Sequence, residues 1–459
     1  MAFVNLTSEH DAKFDFLNRF CRLATVNILS GIMVPLAGLV DVAFLGHLTE
    51  IRHLAGVILA TILFEYLYRV LKFIRSSTNS MTAQAVGRED FNAMMLVGLR
   101  NGLIALGIAA LILIFQYPIR EVGFTLLSAN SEVKDAGVAY FNARIWGAPA
   151  VLLNYVLIGW FFGREMNSFV LVMSLIGNAA NVVLDYVMII NWGWETAGAG
   201  LATAISQYLT LLVGLTFACF NIKWQDFPAV LQKVLDWQAL KASFALNGNI
   251  LIRYLTFITA LAVFTNLSSL MGTTILAENG LLLQVVTLSV FVIQGVGHAT
   301  QSLTGKFKGK GDSKRLLPLI IVATLTSLLC ALPWAIVSIV FPKTIFGLLT
   351  NHAELTNDID KYTLWLLPVL AFAAIAFMLE GYFIGLAEGS TLRNSSLTAL
   401  GVGFIPLAFV AWYFHSNHIL WLALCLYMIT SMVILVIQLP RTFHNHDTHH
   451  QQIATTNIT

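Results

Sequence analysis

Charge is what this sequence has least of. Asp, Glu, Lys and Arg make up 11% of 459 residues while 58% are hydrophobic, and mean hydropathy is +0.77. Soluble domains spend about a quarter of their residues on charge, so an aqueous fold is excluded and the chain reads as a membrane protein. The few charges nearly cancel, to a formal +2, and no long basic block occurs, which leaves no footprint for a nucleic-acid partner. Cysteine is sparse too. Cys21, Cys219, Cys330 and Cys425 lie singly in apolar segments without metal spacing, and read as small hydrophobes rather than disulfide partners or metal ligands. HExxH, GxSxG and phosphate-loop patterns are missing, as is a paired-acid glycosidase site, so nothing points to covalent chemistry. An enzyme is not expected, and neither is a cofactor.

What the sequence does have is apolar runs. Segments of about 20 residues or more recur along the whole length, each enough to cross roughly 30 Å of hydrocarbon as a helix, whereas barrel strands of about ten alternating residues do not fit. Breaks at Gly, Pro and charged residues place helices near 19–46, 54–84, 92–116, 136–161, 166–191 and 197–220, then near 240–270, 274–304, 315–341, 358–387, 392–414 and 418–439. The expected fold is therefore an all-α polytopic membrane protein of twelve spans. Residues 1–18, with Glu9, Asp11, Lys13 and Asp15, lack the basic start of a cleavable signal, so the first span is expected to be its own insertion signal. "NIKWQDFPAVLQKVLDWQ" (221–238) is the longest polar stretch of the interior and reads as a linker, 221–239, between lobes at 19–220 and 240–439; an amphipathic helix on the membrane surface is one form it can take. The His-rich tail, 440–459, reads as disorder. Lys13, Arg19, Arg22, Lys223, Lys233 and the run "GKFKGKGDSKR" share one face, which the positive-inside rule makes cytoplasmic, with both termini on it.

Slid against itself by 222 positions, the sequence lays "TAQAVGRED" (82–90) on "TGKFKGKGD" (304–312), "GWFFG" (159–163) on "GYFIG" (381–385), and Tyr140 on Tyr362. Six spans per copy make the two insert in the same direction, related by an axis along the membrane normal. Such repeats are the architecture of alternating-access transporters.

Acids at bilayer depth cost from about 2.5 kcal/mol upward and tend to face a cavity or a partner. Glu65 has Arg69 four residues on, the spacing of a helical salt bridge. Asp185 has no such cation. Asn178, Asn181 and Asp185 follow i, i+3, i+7 spacing, and the next span offers Thr203, Ser206 and Gln207 among small residues that let helices approach. Gathered oxygens of this kind hold a hard cation such as Na⁺ or a proton on a desolvated carboxyl; a structural polar network between helices is the alternative. Asp41 is the acid of the first span, with Pro35 six residues earlier as a static bend or a hinge. At offset 222 Asp41 falls on Val263 and Asp185 on Leu407, so the shared scaffold requires neither acid. The second half has its own acids, Glu278 and Glu380, with Arg253 available for a bridge; a bridge and a separate binding spot are equally open.

"PLAGLVDVAFLGHL" (35–48), "FIRSSTNSMTAQAVG" (73–87), "NAANVVLDYVMIINWGWETAGAGLATAIS" (178–206) and "GKFKGKGD" (305–312) resemble the multidrug and toxic compound extrusion (MATE) transporters, and within them the DinF branch. The likeness runs in order from about residue 19 to 439. It implies two six-helix lobes in a V and export of lipophilic organic cations against H⁺ or Na⁺, by a monomer in the bacterial inner membrane. It implies a proton carrier at Asp41, an ion cluster of Asn181, Asp185 and Thr203 with the backbone carbonyl of Ala199, and a substrate cavity containing Tyr140 and Asn154; the mechanism expected on that basis has ionised Asp41 attract the substrate within the cavity, Met33 pack it, and the first span bend at Pro35. Glu278, Glu380 and Lys306 depart from the branch's pattern, which leaves a second-lobe site at Glu278 and Glu380 open. The rival readings are a flippase of lipid-linked oligosaccharides or other amphiphiles, which would want a cationic cavity, and a channel or membrane enzyme, which would not need the repeat.

Overall fold

Inside a bilayer the backbone must satisfy its own hydrogen bonds, and a run of about 20 apolar residues does so by turning helical. The computed structural model describes residues 16–31, 51–126, 131–347 and 359–456, and among these every regular element is a helix. Eleven helical stretches are long and apolar enough to span a membrane. Of the expected first span only residues 19–31 fall within the described residues, in a helix, α1, over 16–31.

The chain divides into two compact units. One holds residues 29–247 and the other residue 248 onward together with the stretch before 29. In the first unit α2 (Ile51–Leu71) and α3 (Phe73–Gly87) form one span, followed by α4 (Phe91–Ile114) and the short α5 (Gln116–Leu126). α6 (Ser131–Arg144) leads through one 3₁₀ turn into α7 (Ala148–Gly163), then come α8 (Asn167–Asp185), α9 (Glu195–Phe220) and the linker helix α10 (Phe227–Gln232). α11 (Trp237–Met271) begins in the first unit, where its Asn247 accepts from Ser77 Oγ and donates to Asn101 Oδ1 at 3.2 Å. The second unit contains the rest of α11, α12 (Thr273–Lys310), α13 (Leu316–Val340), α14 (Pro342–Gly347), α15 (Asp360–Thr363), α16 (Leu366–Gly385), α17 (Gly389–Thr398), α18 (Ile405–Phe414) and α19 (Asn417–Thr456). Asn27, from the first helix, donates to Gly295 O of α12 at 3.4 Å.

The repeat is written in the backbone as well as in the letters. Glu89 and Gly311, Glu165 and Ala387, and Gly193 and His415 all have left-handed backbone, and each pair is 222 positions apart. Glu89 N and Asp90 N donate to Val86 O and Ala85 O; Gly311 N and Asp312 N donate to Lys308 O and Phe307 O. These are the paired bonds that close a helix through a left-handed residue. The "GWFFG" and "GYFIG" motifs have a physical cause too. A Cβ on Gly163 would lie 2.7 Å from both Asn79 O and Thr82 Cβ, and one on Gly385 would lie 2.5 Å from Gln301 O and 2.8 Å from Thr304 Cβ. The same pair of spans is thus pressed backbone to backbone in each unit, a contact that only glycine allows.

Each unit has an apolar core. Trp160, Phe161, Met173 and Ala218 anchor one in the first unit, and Phe264, Phe377, Trp421 and Tyr427 one in the second. The last helix, α19, is continuous to Thr456, past the expected end of its span at about 439. Extending an existing helix adds one hydrogen bond per residue without a new nucleation cost, which polarity alone does not reveal.

Candidate functional site

The polar seam expected in the span at 166–191 is built as its spacing predicts. On α8, Asn181 and Asp185 are buried while Leu175 and Val183 of the opposite face are exposed. Asn181 Nδ2 donates to Asp185 Oδ2 at 3.2 Å. Asp185 is also the last residue of the α-helix proper, because Tyr186–Asn191 wind as a π-helix. Such wider turns re-aim side chains and recur at functional sites.

On α9, Thr203 Oγ1 donates to Ala199 O at 2.9 Å, Ser206 Oγ to Thr203 O at 2.8 Å and Thr210 Oγ1 to Ser206 O at 2.8 Å. Each hydroxyl is satisfied within its own helix. The structure therefore pairs Asn181 with Asp185, and Thr203 with the Ala199 carbonyl.

Asn154 and Tyr140 are buried, but each belongs to a different group. Asn154 Nδ2 donates to Gln207 O at 3.0 Å and to Gln207 Oε1 at 3.2 Å. Tyr140 OH accepts from Arg144 Nη1 at 2.7 Å, and that guanidinium lies 4.7 Å over the ring of Phe64 and 5.5 Å from that of Tyr140. Sequence reading passes over Arg144; its one signal was a position four residues after Tyr140, the same helical face. Met33, Pro35 and Asp41 lie outside the described residues.

Glu65 meets Arg69 at 3.7 Å on an exposed face, as the spacing predicts. In the second unit Glu380 is buried in an ion pair with Arg253, also buried, whose guanidinium lies 4.8 Å from the Tyr254 ring and 5.2 Å from that of Phe377. Glu278 is buried at the start of α12, one residue from a network in which Asn279 donates to Ser268 and Asn417 at 2.7 Å and accepts from Trp421 Nε1 at 2.8 Å. Glu278 and Glu380 thus belong to different surroundings.

Among the described residues no three His, Cys, Asp or Glu side chains gather as a metal would need. Carboxylate, amide, hydroxyl and carbonyl oxygens such as those of α8 and α9 are the kind that hold a proton or a hard monovalent cation where they converge.

The sequence model of the MatE family matches residues 27–187 and, separately, 250–410. The chain belongs to the MatE family. The two matched blocks agree with the internal repeat, and family membership places the chain among multi-pass membrane transporters. The DNA damage-inducible protein F of Escherichia coli (strain K12) is 30% identical over 406 residues, covering 88% of each chain. A protein described as the probable multidrug resistance protein NorM of Thermotoga maritima is 23% identical over 85% of this chain and 84% of its own. In fold, the MatE chain superposes on the outward-facing conformation of a multidrug resistance MATE family transporter with a TM-score of 0.80, at 18% identity, covering 94% of this chain and 97% of that one. The likeness establishes the all-α fold of twelve helices in two lobes.

Proposed function

We propose that this MatE protein is an antiporter that exports lipophilic organic cations, driven by H⁺ or Na⁺ taken up in the first lobe. The observation that carries the reading is Asp185: a fully buried carboxylate, hydrogen-bonded to an amide, placed where an α-helix passes into a π-helix. Its counterpart 222 residues on is Leu407, so the scaffold alone does not account for it. Ion entry at Asp185, and at Asp41 of helix 1, neutralises charge that a cationic substrate would otherwise occupy. Thr203 and the Ala199 carbonyl join the ion site by exchanging their mutual hydrogen bond for the ion. Tyr140, Asn154 and Met33 line the substrate cavity, and Pro35 is the bend by which helix 1 responds. Drug and ion need only prefer different states of one bistable element.

In the second lobe the Arg253 partner of Glu380 supports a structural role for that acid, and Glu278, the other buried acid of α12 and α16, is the second candidate for a further site. The membrane is the bacterial inner membrane, with both termini and the 221–239 linker cytoplasmic and the protein acting as a monomer.

One observation favours a second reading. Arg144 donates to Tyr140 OH, and a cation beside a proposed cavity residue suits the phosphate of an amphiphile handled by a flippase. Proteoliposomes carrying a pH gradient or a Na⁺ gradient, assayed separately, test both. Coupled export of ethidium that Asp185→Asn and Asp41→Asn abolish supports the antiporter. Export unchanged in both variants sinks it, and movement of an anionic lipid analogue that Arg144→Gln abolishes supports the flippase.

A further inference from the structure

The linker helix α10 lies across an apolar groove of about 350 Å³ walled by α4, α7 and α9. On α4 its lining runs from Met95 to Leu106, a rise of roughly 16 Å at 1.5 Å per residue. That is the depth of one leaflet, half of a hydrocarbon core of roughly 30 Å. Every lining residue is apolar. Gly102 opens the groove, because a Cβ there would meet no atom within 4 Å. Leu103, Leu106 and Leu231 on its edge are exposed, so it opens sideways, where bilayer hydrocarbon would be.

The cover is fastened. Arg100 Nη2 donates to Lys233 O at 2.7 Å and Nε to Val234 O at 3.1 Å, satisfying the carbonyls where the linker helix ends. Around it Trp224, Leu235 and Trp237 are exposed, the pattern of a segment seated at the bilayer interface.

Besides Arg100, whose guanidinium is taken up by the linker carbonyls, a second cation stands at the rim. The Arg164 guanidinium lies 4.2 Å over the ring of Trp160, a groove residue, and its Nη2 reaches Asn221 O at 3.4 Å. Its Nη1 is buried with no acceptor among the described residues. No ion pair of Arg164 with an acid is found among the described residues, and Asp90 and Asp236 accept locally, from Ala93 N at 2.9 Å and Gln238 N at 3.0 Å. The second unit has no equivalent: 222 residues on, Gly98 becomes the buried Ile320, Gly102 becomes Thr324 and Arg164 becomes Leu386.

We propose that this groove binds one acyl chain of an anionic phospholipid, its phosphate held by Arg164 and its chain laid along α4 toward Leu106. An apolar channel one leaflet deep, open to lipid and ending at a half-desolvated cation, matches both ends of that molecule. The site ties the linker between the lobes to the composition of the surrounding membrane.

Native mass spectrometry of the full chain in non-ionic detergent, titrated with dioleoylphosphatidylglycerol and with dioleoylphosphatidylcholine, is the test. One phosphatidylglycerol is expected to be retained about tenfold more tightly than phosphatidylcholine, equivalent to about 1.4 kcal/mol. Gly102→Leu, which fills open space, abolishes retention of both lipids. Arg164→Gln keeps the chain bound and makes the two lipids equal. Equal retention of both lipids by the wild type, phosphatidylglycerol retention unchanged in Gly102→Leu, or oleate held as tightly as phosphatidylglycerol would each overturn the proposal. Should Gly102→Leu fail to fold, the Arg164→Gln comparison decides alone.

Discussion

Replacing Glu380 by Leu strands Arg253. Both side chains are buried, so removing the carboxylate leaves a guanidinium with no opposite charge in an apolar core built from Phe377, Tyr427 and their neighbours. Breaking a buried pair from one side costs about 3–5 kcal/mol. The rings of Tyr254 and Phe377, at 4.8 and 5.2 Å, already face the cation and return about 0.5–2 kcal/mol. A net loss of about 1–4.5 kcal/mol is expected. The double variant Arg253→Met, Glu380→Leu removes both charges and keeps the volume, and should come back to within about 1 kcal/mol of the wild type. Thermal denaturation in detergent, followed by monodispersity, gives the order of midpoints; with two compact units the transition is not assumed to be two-state. The single variant should melt far below the wild type and the double variant beside it, with gradient-driven transport intact in the double. A Glu380→Leu midpoint equal to the wild type's would refute the desolvation reasoning. A double variant that is stable but cannot couple transport to a gradient would show that Glu380 carries an ion.

Gly385→Val should destabilise by about 1–3 kcal/mol or more, because its side chain must displace the Gln301 carbonyl and Thr304, and Gly163→Val should do the same in the first unit; the same denaturation assay reads both, with Gly102→Ala as the harmless glycine control. On α5, the Arg120 guanidinium, and after it the Lys134 ammonium, hold the Glu121 carboxyl below the usual carboxylate range. A depressed native pKa contributes stability above the unfolded value of about 4.3 that disappears as pH falls through the native value. Amide exchange of residues 116–126 in Glu121→Gln should therefore outpace the wild type at neutral pH and match it once the wild-type carboxyl is protonated.

The spans, the repeat and the seam of Asn181 and Asp185 were legible because each rests on a period or an offset, and both survive in a linear string. The Glu65–Arg69 pair was legible for the same reason, four residues being one turn. Choice of partner was less so. Asn154 chose Gln207 and Arg144 chose Tyr140 and Phe64, since which face of one helix meets which face of another depends on packing that no single segment encodes. The Arg253–Glu380 bridge, one of two readings left open, was decided by geometry across 127 residues. The π-helix after Asp185 left no mark at all, because "YVMIIN" would serve equally well in an α-helix.

The left-handed turns carry a consequence for the length of the chain. Glu89, Glu165 and Gly193 have their partners in Gly311, Ala387 and His415 at one unvarying distance, while the side chains at those positions have diverged from charged to small to aromatic. Neither copy has gained or lost a net residue between its first and third turn. The backbone there behaves as a ruler, on which a residue inserted inside a span would shift the later glycines of that span out of their slots. The polar stretch between the lobes is outside that ruler, and is the place where extra length can be absorbed.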